Sequence, residues 1–161
     1  MTPPALRHAT RDDLDALLAL YAQLNPGDAP LARERAAAIL ERIVASEHLA
    51  IVVATLDDAV AATCYLNVIP NLTRGGASYA VIENVVVDAA RRGTGLGQAV
   101  VRFALDEAWH RGCYKTLLQT GVRDPRVHRF YESCGFSASE KTGFVARPPR
   151  PPAQARESPD I

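Results

Sequence analysis

The sequence has no excess of charge of either sign: Lys plus Arg and Asp plus Glu each number 18 among 161 residues. A net charge of zero gives no support for a partner such as nucleic acid or a membrane surface. No apolar run approaches the roughly 20 residues that cross a bilayer. The opening Met1-Thr2-Pro3-Pro4-Ala5-Leu6 lacks the apolar stretch of a secretory leader. Neither C-x-x-C nor H-x-x-x-H occurs, and His8, His48, His110 and His128 are scattered. No metal is therefore expected, because zinc sites need clustered ligands. Cys64, Cys113 and Cys134 are odd in number and far apart. That usage suits a reducing cytoplasm better than a disulfide framework.

What is present is a globular core: hydrophobic residues make up 48% of the chain. Leu6 to Ala9 reads as a first strand. Thr10 stands three residues before Asp13 as a capping box. Leu14, Leu17, Leu18 and Tyr21 follow at helical spacing. A second helix is expected from Leu31 to about Ser46, then strands over Leu49–Leu56 and Ala59–Ile69 turned by Asp57-Asp58. Ser78 to Val87 reads as a strand whose run Val85-Val86-Val87 suits burial on both faces. A third helix from Leu96 to about Arg111 ends at Gly112, and Thr116 to Gln119 is a short strand. A short helix over Val127 to Cys134 follows, with Phe136 and Phe144-Val145 as closing strands. Residues 1–146 are read as a single domain. The tail 147–161 holds five of the eleven prolines and reads as disordered.

Arg91-Arg92-Gly93-Thr94-Gly95-Leu96-Gly97 lies between a buried strand and a helix. A loop entering a helix there exposes unpaired amides, and the helix dipole adds roughly half a positive charge. Glycines let the backbone approach an anion, so the turn reads as a diphosphate cradle. No Lys follows as a P-loop requires, and the third glycine of a dinucleotide fingerprint is missing.

Two motifs together resemble the Gcn5-related N-acetyltransferase superfamily. One is R-x-x-G-x-G, at Arg92, Gly95 and Gly97. The other is Phe130-Tyr131-Glu132-Ser133-Cys134-Gly135-Phe136. Within that superfamily, Ile82 to Asp88, Gly112-Cys113-Tyr114-Lys115 and the Phe130 segment are similar to glucosamine-6-phosphate N-acetyltransferases. Asn84 departs from an acidic position of that group, and Gln119 to His128 lacks its acidic residue and Asn. Those positions hold the amino sugar there.

The resemblance implies an α/β (α+β) fold: a central mixed, mostly antiparallel sheet of about six to seven strands, flanked by about four helices. It implies acetyl-CoA as cosubstrate, with no metal, and direct transfer to a primary amine of a small molecule in a ternary complex. Arg92, Gly93, Thr94, Gly95, Leu96 and Gly97 would take the diphosphate. The backbone of Val85, Val86 and Val87 would align the thioester. Glu83 would be the proton acceptor, and Tyr131 the donor to the leaving thiolate. A purely structural Glu83 and a merely packed Tyr131 stay open at this stage, because geometry decides such roles. The acceptor pocket would be walled by Asn25 to Leu31, Pro70 to Gly76 and Lys141 to Phe144, with Arg74 and Lys141 as cations for an anionic substrate. Relatives imply a homodimer. A protein acetyltransferase and a non-catalytic acyl-CoA-binding module are the alternative readings.

Overall fold

The computed structural model describes residues 4–149. The expected disorder of the tail falls, from residue 150 onward, outside the described residues. The element order is β1 (Ala5–His8), α1 (Leu14–Leu24), α2 (Arg33–Val44), β2 (Leu49–Leu56), β3 (Ala59–Ile69), β4 (Tyr79–Val87), α3 (Leu96–His110), β5 (Thr116–Leu118) and α4 (Pro125–Ser133). One sheet runs β1-β2-β3-β4-β5. Its first three pairings are antiparallel, and β4–β5 is parallel. That last pair needs a crossover, which α3 provides.

Alternation along the strands divides two layers. Val52, Ala54, Cys64, Leu66 and Ile82 point to the face covered by α3, where Val100, Val101, Ala104 and Ala108 are fully buried. Ile51 and Val53 point the other way, against Leu14 and Leu17 of α1 and Ala36 and Leu40 of α2. Each fully buried Val, Leu or Ile among them contributes roughly 1.5–3 kcal/mol when removed from water.

Local chemistry sets the element ends. The Thr10 amide donates to the Asp13 carboxylate at 2.7 Å, the capping box expected before α1. Arg7 of β1 grips the same carboxylate with both guanidinium nitrogens, at 2.7 and 2.8 Å. Asp57 and Asp58 both have positive φ, +49° and +63°, the geometry of a two-residue hairpin turn. Helix α4 starts two residues earlier than expected. Asp124 caps it by accepting from the Arg126 amide at 2.8 Å, and Pro125 occupies the first turn.

The sheet has five strands among the described residues, fewer than the six to seven expected. Neither Phe136 nor Phe144-Val145 forms a strand. The segment from Ser137 to Gly143 has no apolar alternation to seat on a core, and Phe144 is 90% exposed. Phe136 instead packs on the edge of the main core.

Candidate active site

The site begins with an irregularity in β4. Tyr65 pairs with Glu83 and Thr63 pairs with Val86, so β4 carries one residue more than β3 over this stretch. Asn84 takes up the surplus with φ +51°. A bulge of this kind bends its strand, and Asn is among the few residues that tolerate the left-handed region. On the other edge, β5 keeps its register with β4 only through Ile82↔Leu118. Beyond that point the two strands part, and a cavity of about 960 Å³ opens between Glu83–Val87 and Gln119–Val122.

The head of α3 closes one end of this cavity. Gly93 (φ +75°) and Gly95 (φ +85°) turn the chain into the helix, with open space where a Cβ would lie. No side chain caps the helix. Ala99 donates to the Gly95 carbonyl at 3.0 Å, so the amides ahead of it in the first turn have no acceptor of this kind within the helix. They are free for an anion, and the helix dipole favours one.

Gly97 serves a second purpose. A Cβ there would meet the Phe130 ring and the Val87 Cγ2, each at 3.2 Å. The glycine lets α3, α4 and β4 approach one another beside the cavity. Thr94 does not line the cavity; its hydroxyl donates to the Arg91 carbonyl at 2.6 Å and holds the turn. Arg92 lines it and donates from Nε to the Val87 carbonyl at 3.4 Å. The approach to the loop is tied to α1. Gln23 donates to Asp88 at 3.0 Å and accepts from the Ala89 amide at 2.9 Å.

Tyr131 lies on the cavity wall, with its ring edge-on to Phe130 at 4.9 Å and Phe136 at 6.3 Å. Burial, and then Cys134, Cys64 and the Glu83 carboxylate, hold its hydroxyl above the ordinary tyrosine range. It therefore stays protonated at neutral pH and can donate. Glu83 is exposed and lines this cavity together with a second, shallower one over β3 and β4. Among the described residues its carboxylate has no ion pair within 4.0 Å. Burial pushes the Cys64 thiol up to about 12 and raises Cys113 and Cys134. All three are thus kept as neutral thiols rather than nucleophiles.

Of the residues singled out from sequence, Glu83, Val85, Val86, Val87, Arg92, Gly93, Gly95, Leu96, Gly97 and Tyr131 all meet at one cavity. Sequence reasoning missed Gln23; it marked Asn84 and Gln119–Val122 as departures at acceptor-holding positions, and both line the cavity, but it did not foresee the bulge at Asn84. The bulge had one readable signal, a residue type suited to positive φ inside a strand. The expected acceptor walls need revision. Asn25 lines the main cavity, whereas neither 70–76 nor 141–144 lines either cavity. Arg74 instead sits 5.8 Å above the Tyr114 ring.

An opened strand pair abutting an uncapped helix head forms a cleft with one end suited to an anion. The sequence profile of the Acetyltransferase (GNAT) family matches residues 14–136. Glucosamine 6-phosphate N-acetyltransferase 1 of Oryza sativa subsp. japonica is 38% identical over 125 residues, covering 74% of this chain and 72% of the relative. A candidate acetyltransferase structure from Agrobacterium tumefaciens str. C58 superposes with a TM-score of 0.85 at 49% identity, covering 89% of this chain and 99% of that one. The glucosamine-6-phosphate N-acetyltransferase structure from Arabidopsis thaliana gives 0.79 at 27% identity, covering 91% and 98%. The chain belongs to the GNAT acetyltransferase family. It is an N-acetyltransferase, with the mixed α/β fold of that family.

Proposed function

We propose that the chain moves an acetyl group from acetyl-CoA to the primary amine of a small molecule, by direct attack within a ternary complex. The observation that carries this reading is the cavity between the parted ends of β4 and β5, with the head of α3 at its end. Gly93 and Gly95 offer an open surface there, and the first turn of α3 has no side-chain cap. The residues fit an elongated donor bearing a diphosphate at one end.

In this reading the amides from Gly93 to Gly97 hold the diphosphate, Thr94 through its backbone alone, and Arg92 adds a cation. The backbone of Val85 to Val87 past the end of β5, apart from the Val87 carbonyl that accepts from Arg92, aligns the pantetheine arm. An amide of that edge stabilises charge developing on the acyl oxygen, an effect worth roughly 3 kcal/mol per donor.

The amine is protonated at neutral pH if its pKa is near 10. Glu83 takes that proton, directly or through water. The amine nitrogen then attacks the thioester carbon, the carbon–sulfur bond breaks, and an amide forms. Tyr131 gives its proton to the sulfur, leaving coenzyme A as its thiol, and the second proton, shed by the nitrogen as the amide forms, restores the phenol. Burial keeps the phenol in the protonated form this step requires.

The test is a thiol-release assay with acetyl-CoA against a panel of amines. Amine-dependent release, matched by acetylated product in mass spectrometry, is the expected outcome. Binding of acetyl-CoA without release for any amine would contradict it.

A further inference from the structure

The sheet register defines a second surface next to the main cavity. Leu49 pairs with Asn67, Asn67 with Val81, and Tyr65 with Glu83. Directly paired residues share a face, so Leu49, Asn67, Val81 and Glu83 all project on the side opposite α3. Helices α1 and α2 cover only part of this side, over Ile51, Val53 and Tyr65. The remainder is an open shelf of about 490 Å³. Glu83 and Asn84 line both the shelf and the main cavity, so the two spaces meet at the β4 bulge.

The charge of the shelf is one-sided, although Tyr65 and Asn84 also line it with neutral polar groups. Its floor is apolar, from Leu49, Ile69 and Val81. Asn67 spends its amide hydrogens on the Tyr65 and Val81 carbonyls, at 3.5 and 3.4 Å, and keeps its own oxygen as an acceptor. Glu83 supplies the one charged side chain. Among the described residues lining the shelf there is no Lys, Arg or His. An ammonium entering here meets a carboxylate and an amide oxygen. A phosphate entering here meets a carboxylate and no cation.

We propose that this shelf binds the acceptor and selects amines that carry no phosphate: a primary ammonium on a neutral, partly apolar body. The inference rests on the acetyl-transfer reading above and names the acceptor's chemical class. Glu83 draws the ammonium to the junction of the two spaces, where the acetyl group would arrive. Leu49, Ile69 and Val81 take the apolar body, and Asn67 accepts from a hydroxyl or a second nitrogen. An anionic substituent is disfavoured by its like-charge neighbour.

The experiment compares matched pairs differing only in phosphate: glucosamine with its 6-phosphate, and ethanolamine with phosphoethanolamine. Where neither member is turned over, each is read as a competitor of the best amine. The unphosphorylated member is expected to lead by about 10-fold or more in kcat/KM or in inhibition constant, a lead that shrinks as salt is raised. Asn67→Lys places a cation on the shelf and should narrow that ratio by about 5-fold, again by charge complementarity. Preference for the phosphorylated member would overturn the shelf's assignment while leaving acetyl transfer standing. Absence of thiol release with every amine tried, acetyl-CoA still binding, would remove the underlying reading as well. A dimer in light scattering that Asn67→Lys splits into monomers would give this face to a second copy and also overturn the proposal.

Discussion

Tyr131 has two properties that a proton donor requires: a place on the cavity wall and surroundings that oppose its ionisation. Removing its hydroxyl leaves the ring, and so its packing against Phe130 and Phe136, in place. Tyr131→Phe should therefore lower kcat by about 10-fold or more, general acids contributing about 100-fold at the low end. Steady-state kinetics at pH 7 checks this, with little change expected in KM for acetyl-CoA; unchanged turnover would remove the phenol from the mechanism. Asn84 acts through the backbone. Its φ of +51° is accessible to Gly and strained for a β-branched residue. Asn84→Gly should keep thiol release, whereas Asn84→Val should lose both release and about 1–3 kcal/mol of stability in thermal melts. Equal activity of the two variants would mean that the bulge does not shape the site. The motif residues around Arg92 and Tyr131 were legible in the sequence because they recur at fixed spacing. The Asn84 bulge was not, since a strand with one extra residue reads as an ordinary strand until its partner's register is known.

Among the elements, the junction of β1 and α1 carries a pH dependence. Asp13 is 6% exposed, and the Arg7 guanidinium, against some opposition from burial, holds its carboxyl below the usual aspartate range. A depressed folded pKa stabilises the fold above the unfolded value of 3.8, and that contribution is lost as pH falls through the folded pKa. Asp13→Asn should accordingly cost about 2 kcal/mol at pH 7, the order expected of hydrogen bonds to a charged group. Urea titrations should show the gap from the parent protein closing below pH ~4, as the parent's own carboxyl is protonated. A gap of constant size across that range would contradict the assignment. This junction was visible beforehand as Thr10 to Asp13, but its partner Arg7 was not, because no local pattern marks the turn that brings Arg7 back onto Asp13. Strands β2 and β3 were read with their observed limits, since alternation and Asp57-Asp58 mark them locally. The expected strands at Phe136 and Phe144-Val145 failed for the opposite reason. Aromatic residues alone do not make a strand where no alternating apolar pattern accompanies them: Phe136 still packs on the core, while Phe144 stays exposed.

At the scale of the whole molecule, one sheet presents two cavities that meet at Glu83 and Asn84. The main cavity is built by parting a parallel pair after Ile82↔Leu118 and setting the head of α3 against the gap. The shelf is built by leaving β3 and β4 uncovered where α1 and α2 stop. The first arrangement was anticipated only as what the family resemblance implies; the second depends on how far two helices reach, which no local pattern records. The central claim is that the amides at the head of α3 hold the diphosphate of coenzyme A. Isothermal titration calorimetry with acetyl-CoA tests it most directly. The account predicts saturable one-to-one binding to the parent protein. It also predicts affinity about 10-fold weaker for Gly95→Val, as roughly 1–2 kcal/mol of left-handed strain disturbs the turn. A folded parent protein that takes up no acetyl-CoA, or a Gly95→Val variant that binds it equally well, would contradict the account.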